Sequence, residues 1–255
     1  MKKILLSVIT LTALSFGANA QNVNIPDANF KAYLVGNSSI NTNLDTEIQI
    51  GEASAFTGTI GCANLGITDM TGLEAFTSII SLLCQNNPLS TLDISQNTAL
   101  ETINCSDNNL ISLDVSQNTA FTSISCTNNN LTLIDVSQNI NLSTLSFGNN
   151  NLTSIDLTQN VNLFILVCNF NDLSSLDISQ NIGLGILYCT NNNNLSSLNM
   201  INISTSTLTN FDAVSNPNLT CIQVDNVALA TTAWTNVDTG VSFSLNCITF
   251  VTSIT

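Results

Sequence analysis

Five aspartates, Asp93, Asp114, Asp135, Asp156 and Asp177, recur every 21 residues, and six cysteines, Cys62, Cys84, Cys105, Cys126, Cys168 and Cys189, keep nearly that interval, with Phe147 in the one missing place. On stacked parallel strands such a column sets carboxylates about 4.8 Å apart, close to the roughly 5 to 5.5 Å of a retaining glycosidase pair. A repeated outer column offers no pocket, however, and nothing to drive one pKa up and its partner down, which acid and nucleophile roles require. Like charges at that spacing repel by about 1 kcal/mol in water, so something compensates them. The candidates are backbone amides of the Ser/Thr-Gln-Asn run that follows each aspartate, or divalent cations. For the thiols, strand spacing exceeds the roughly 3.5 to 4.5 Å between the Cβ atoms of a disulfide, and the Cα–Cβ vectors run parallel. A row of this kind cannot surround zinc tetrahedrally either. The column reads as buried free cysteines acting as small hydrophobes, and Phe147 fits packing better than covalent chemistry.

The chain has no His and no Arg. That removes Ser-His triads, Cys-His dyads and His-ligated metals, and with them the usual carboxylate or phosphate clamp. One segment has the oxygen spacing of a metal loop: Asn41-x-Asn43-x-Asp45-Thr46-Glu47-Ile48-Gln49-x-x-Glu52. It resembles a calcium-binding EF-hand loop, with oxygens at the first, third, fifth and ninth places, isoleucine at the eighth and glutamate at the twelfth. Asn41 replaces the leading aspartate, and Thr46 replaces the glycine favoured at the sharp turn. The alternatives are calcium held by Asn41, Asn43, Asp45, Glu47, Gln49 and Glu52 to brace a cap, or a polar loop that keeps the shape without the ion. No cofactor is required by either.

Lys2-Lys3, the apolar run to Phe16 and Ala18-Asn19-Ala20 have the order of a cleavable signal peptide, so residues 1–20 are expected to be removed on export. From Gln21 onward one lysine, Lys31, stands against 17 acids, a net of −16. Such a surface is a poor partner for nucleic acid or anionic membrane, and no later stretch reaches the roughly 18 apolar residues of a membrane span. With 44% hydrophobic and 8% charged residues there is ample material for a core.

Positions 57–216 align as about seven turns of a 21-residue unit, for example Leu100-x-x-Ile103-x-Cys105-x-x-Asn108-x-Leu110-x-x-Leu113-Asp114-Val115-x-x-Asn118. One turn cannot bury its apolar side, so neighbours must share a continuous core. Alternation in Leu-x-Cys and again in Leu-Asp-Val predicts two short extended segments per turn, stacking in parallel into a rod roughly 34 Å long. Two asparagine columns, from Asn87 to Asn192 and from Asn97 to Asn181, fall where the chain turns. Asn accepts the left-handed conformation, and its amide can bond the backbone of the next turn, so both columns read as structural.

This unit resembles bacterial leucine-rich-repeat proteins with 21-residue repeats of the internalin J kind, in which a cysteine column also occurs. The openings Ile25-Pro26-Asp27-Ala28-Asn29-Phe30 and Asn216-Pro217-Asn218-Leu219-Thr220-Cys221 resemble the ends of secreted repeat proteins of Bacteroidota. Those relatives often carry a C-terminal sorting domain, which nothing after Cys247 resembles. The fold expected is a leucine-rich-repeat solenoid, β-rich, with short parallel strands stacked turn on turn. A small helical N-terminal cap with the EF-hand-like loop takes 21–56, including a helix from Asp27 to Leu34, and a C-terminal cap and tail take 217–255. Cys221 and Cys247 flank the non-repeating end outside the column and are expected to pair, contributing about 3 kcal/mol by loop entropy.

On the Leu-x-Cys side the outward positions of the early turns are small hydroxyls and amides, whereas Ile165, Val167, Ile186 and Tyr188 form an apolar cluster over two turns. Such a cluster reads either as a partner anchor or as good strand formers. The family resemblance implies adhesion or recognition: a secreted or cell-surface module, not an enzyme, binding an extracellular protein or glycan through the repeat face. The alternatives are a structural matrix component and, more remotely, a hydrolase using the aspartate column.

Overall fold

The computed structural model describes residues 21–247. The leader read in residues 1–20 and the tail 248–255 lie outside the described residues. The chain winds as a solenoid around one continuous apolar core. In the turn from Leu100, the side chains of Leu100, Ile103, Cys105, Leu110, Leu113 and Val115 are all buried, and the same places are buried in the neighbouring turns except at Leu92, which is half-buried.

Each turn contributes a three-residue strand to a parallel sheet. Its members are β1 (Thr59–Gly61), β2 (Ser81–Leu83), β3 (Thr102–Asn104), β4 (Ser123–Ser125), β5 (Thr144–Ser146), β6 (Ile165–Val167), β8 (Ile186–Tyr188) and β10 (Asn210–Asp212), in that order. Eight strands are present, one more than the about seven turns expected over 57–216. Register is fixed by burial: Ile103 stands opposite Leu82 and Ile124, and a slip of one residue would turn the apolar side chains outward.

The second extended segment departs from expectation. It forms a ladder only in the last turns, through β7 (Ser175–Asp177), β9 (Ser197–Asn199), β11 (Cys221–Gln223) and β12 (Ser242–Ser244). The register partners Leu176, Leu198, Ile222 and Phe243 lie 22, 24 and 21 residues apart, so turn length alone does not set the pairing. Two successive tight turns follow this segment whether or not it pairs, as in Asn118 N–H to Val115 O and Phe121 N–H to Asn118 O, and after β7 in Asn181 N–H to Ile178 O and Leu184 N–H to Asn181 O.

The asparagine columns are structural, with one correction. The left-handed residue is the one before the first column: Asn64, Asn86, Asp107, Asn128, Asn149, Phe170, Asn191 and Ser215 have φ between 54° and 61°. The column asparagines work through their amides. Asn129 Nδ2 donates to Cys105 O of the preceding turn and Cys126 O of its own, and Asn129 Oδ1 accepts from Leu110 N–H, each at 3.0 Å. In the second column Asn139 Nδ2 donates to Val115 O and Asn118 O, while its buried Oδ1 has no partner among the described residues. Backbone groups that leave the ladders are thereby satisfied inside the rod.

Both ends are covered. Helix α1 (Ala28–Gly36) begins one residue later than expected, because Asp27 is its N-cap, with Oδ1 accepting from Asn29 and Phe30 N–H. Asp27 Oδ2 accepts from Thr68 N–H and Oγ1, tying that cap to the first repeats. At the other end the segment after Asn216 continues the stacking through β11 and β12, with α3 (Val227–Ala233) between them. Cys221 and Cys247 are disulfide-bonded, with Cα atoms 5.8 Å apart. Trp234 is buried beneath, its Nε1 donating to Leu208 O and its ring against Phe211 and Phe243.

Candidate functional site

Strand alternation sends the central residue of each strand into the core and its neighbours to the outer face of the eight-stranded sheet, as expected. Register pairs Ile165 with Ile186 and Val167 with Tyr188, so the four residues of the apolar cluster are brought together on adjacent strands. Ile165, Val167 and Ile186 are half-buried and Tyr188 is 39% exposed.

Sequence reading missed two members. Phe164 and Phe170, just before and after the same strand segment, are each 51% exposed. Phe164 lies over Gly185 of the next turn, where a Cβ would collide with its ring. Phe170 holds the left-handed position with φ 54°, which every other turn fills with Asn, Asp or Ser. It also stands beyond a side-chain ladder in which Asn149 bonds Asn128 and Asn128 bonds Asp107. One turn thus strings four exposed or half-exposed apolar side chains, Phe164, Ile165, Val167 and Phe170, along one strip of the chain. The signal was in the sequence: an aromatic in a column of turn-forming polar residues is the anomaly to look for.

Next to the strip, the C-terminal cap rises as a wall. A shallow groove of about 640 Å³ is enclosed by Val167, Asn169, Tyr188, Thr190, Asn210, Asp212, Thr235 and Asn236 among others. Cap and sheet meet where Ala213 N–H bonds Asn236 O, in a parallel bridge between Ala213 and Val237.

The aspartate column lies elsewhere, on the Leu-Asp-x segments. Each Oδ1 accepts the backbone N–H of the Ser or Thr two residues on, at 2.9 Å in Asp93, Asp114, Asp135, Asp156 and Asp177. That hydrogen bond, then the same residue's hydroxyl, holds Asp93, Asp114, Asp135 and Asp156 below the usual carboxylate range. Burial presses Asp177 upward, but Ser179 and Asn199 together leave it lowered as well. A hydrolytic pair needs one carboxyl held high, and every member of this column is held low. The backbone amides are the compensation that the column required.

No family model matches the chain. A segment of 74 residues, 29% of the chain, is 36% identical to internalin J of Listeria monocytogenes, covering 8% of that protein. The solved functional domain of InlJ from the same organism, which includes a cysteine ladder, is 28% identical over 81% of this chain and 58% of its own, with a TM-score of 0.47. The solved internalin InlF of L. monocytogenes covers 90% of this chain and 72% of its own at 16% identity, with a TM-score of 0.50. The chain is a leucine-rich-repeat protein. Its repeats have the 21-residue period and the cysteine column read from the sequence. The matches span under two thirds of internalin J and of the InlJ domain.

Within this leucine-rich-repeat rod the six column cysteines are all free and buried. Burial pushes the Cys62, Cys126 and Cys189 thiols up to about 12, and Cys84, Cys105 and Cys168 well above the ordinary thiol range. They pack as apolar groups, and no reactive thiolate is formed.

The six residues of the EF-hand-like loop are divided among separate tasks. Asn43 Nδ2 donates to Asp45 Oδ2 and Gln49 Oε1, and Gln49 Nε2 returns a bond to Asp45 Oδ2. Asn41 Nδ2 donates to Val35 O and Asp45 O. Glu52 caps α2 (Ile50–Ala55) and accepts from Thr42 and Asn43 N–H. Glu47 instead pairs with Lys31 at 2.7 Å. The sharp turn falls at Leu44, φ 61°, two places before the position where an EF-hand makes it. Among the described residues no group of three or more His, Cys, Asp or Glu side chains is close enough to share a metal.

Proposed function

We propose that this is an exported, non-catalytic recognition module that seats a protein partner on the apolar strip of Phe164, Ile165, Val167, Phe170, Ile186 and Tyr188. The observation that carries the reading is Phe170. A bulky residue in the left-handed conformation costs about 1 kcal/mol, and here that cost leaves its ring half in water, three residues past Val167 of the apolar cluster. A solenoid built only for stability would hold asparagine there, as in the turns on either side. Leader-like residues 1–20, the cap disulfide and the resemblance to internalins support export and adhesion.

The test is a binding panel of extracellular proteins and glycans, run on the chain and on its Phe170→Asn and Ile165→Ser variants. Phe170→Asn is expected to raise the unfolding midpoint by a few degrees, since about 1 kcal/mol corresponds to roughly 2 to 4 °C at this size, and to weaken a partner at least tenfold. A variant that gains stability and binds as well as the parent would favour a structural matrix component.

The N-terminal loop is read as a self-bonded cap. Calcium there would have to part Glu47 from Lys31 and Asn43 from Asp45. Thermal unfolding with calcium and with chelator is therefore expected to coincide. A calcium-dependent rise of several degrees, lost in Glu52→Gln, would restore the metal loop.

A further inference from the structure

We infer that the groove between β10 and the C-terminal cap receives a basic side chain of the partner, an arginine or lysine held by the Asp212 carboxylate and the Tyr188 ring. The inference rests on the reading of this sheet face as a protein-binding surface and names the chemistry of the residue that enters beside the strip.

The placement follows from register. Val167 pairs with Tyr188 and Tyr188 with Asp212, so an aliphatic, an aromatic and an anionic side chain stand in one row across three strands, about 10 Å from end to end at strand spacing. That row matches the build of an arginine or lysine, whose stem lies on apolar surface while its cationic head seeks a ring face and an oxygen acceptor. All three residues line the groove, and Asp212 is its only charged member. Across the outward positions of all eight strands, Asp212 alone carries a charge. Its Oδ1 accepts a long bond from Val214 N–H at 3.2 Å, and its Oδ2 takes no hydrogen bond among the described residues.

Nothing in the chain itself can answer this carboxylate. From residue 21 onward there is no arginine and one lysine, and Lys31 is engaged by Glu47 in the opposite cap. A net charge of −16 beyond the leader draws cations toward the whole surface, and the groove is where a carboxylate and an exposed aromatic meet. Thr190, Thr235 and Asn236 at the rim supply acceptors for the remaining N–H groups of a guanidinium.

The experiment uses the whole chain with carbon-13 in its tyrosine rings, which gives two reporters, Tyr188 in the groove and Tyr33, whose hydroxyl is tied to Gly61 N–H in the other cap. The probes are acetylated, amidated pentapeptides Gly-Leu-Arg-Leu-Gly and its citrulline and glutamate counterparts, and a neutral hexasaccharide. The arginine peptide is expected to shift Tyr188 and leave Tyr33 in place. Citrulline, which keeps the shape and loses the charge, is expected to bind about five- to tenfold more weakly, the combined scale of an exposed cation–π contact and an exposed ion pair. Asp212→Asn should weaken arginine by the ion-pair part of that factor, because the contact with the Tyr188 ring remains. Trp234 fluorescence shows that each variant keeps its cap. Equal binding of arginine and citrulline, indifference to Asp212→Asn, a stronger response to the hexasaccharide, or no shift of Tyr188 by any peptide overturns the proposal. Ile165→Ser separates the two readings. A protein partner lost to Ile165→Ser but indifferent to Asp212→Asn keeps the apolar strip and removes the cation site; a loss only with Asp212→Asn does the reverse.

Discussion

Asn129→Leu is expected to lower the unfolding midpoint by roughly 5 to 20 °C. The side chain makes three bonds in the core, two from Nδ2 to Cys105 O and Cys126 O and one from Leu110 N–H to Oδ1. Removing it orphans the buried Leu110 N–H, at about 1 to 3 kcal/mol. It also takes one of two donors from Cys105 O and Cys126 O, which keep Asn108 Nδ2 and Asn150 Nδ2, at about 0.5 to 1.5 kcal/mol each, in a chain that loses roughly 2 to 4 °C per kcal/mol. The extra apolar surface of leucine does not offset this, because the buried Leu110 N–H has no other partner to turn to. Asn139→Leu is expected to cost about half as much: Asn139 donates to two carbonyls, but its Oδ1 is already unpartnered, so no donor is orphaned. Asn130→Ala, on the exposed surface, should change almost nothing. Thermal unfolding of the three variants checks the order. An Asn139 variant as damaged as the Asn129 one would mean that the amide oxygen contributes little in the first column.

Much of this architecture was legible because a repeat states the same constraint many times. Leu-x-x-Ile-x-Cys recurs with side chains that are buried in every turn, so inward and outward positions, the free thiols and the outward apolar pairs could be assigned by parity alone. The turns were less legible. Asparagine is common to both turn conformations and amide ladders, and the two functions sit on consecutive residues, Asn128 left-handed and Asn129 bonded inward. Spacing cannot separate neighbours with the same side chain. The second sheet was over-extended for a related reason: the Leu-Asp-Val segment alternates like a strand in every turn, so alternation cannot tell the turns near the C terminus that pair from those that do not.

The site was half legible. Ile165, Val167, Ile186 and Tyr188 stood out because they break an otherwise hydroxyl- and amide-lined face. Phe164 and Phe170 did not, because they lie one place before and three places after the strand, where parity no longer says which way a side chain points. The groove could not be read at all. It exists because the segment 217–247, which shows no repeat in sequence, still winds as further turns and brings Thr235 and Asn236 up against β10. A wall made by a non-repeating segment leaves no periodic trace, whereas the sheet floor beneath it leaves a strong one.

That wall depends on the Cys221–Cys247 bond, and its loss is expected to melt the end of the rod alone. Closing a loop with a separation of 26 residues constrains the unfolded chain by about 3 kcal/mol. In a solenoid each turn touches only its neighbours, so the terminal turn has packing on one side and the least stability to spare. Trp234 is the only tryptophan, sits in that turn and packs between Phe211 and Phe243, so its fluorescence reports the cap, while far-ultraviolet circular dichroism reports the whole sheet. In the parent protein the two signals should melt together. In Cys221→Ala/Cys247→Ala the fluorescence transition is expected to move down by 10 °C or more, ahead of the dichroism, because about 3 kcal/mol acts on one turn rather than on the rod. Reducing agent should act in the same way and spare the six column cysteines, which have no disulfide to lose. Binding in the groove should vanish with the fluorescence transition and not with the dichroism. Coincident melting in the variant would mean that the last turn draws its stability from Trp234 and the β9 and β11 pairing rather than from the bond.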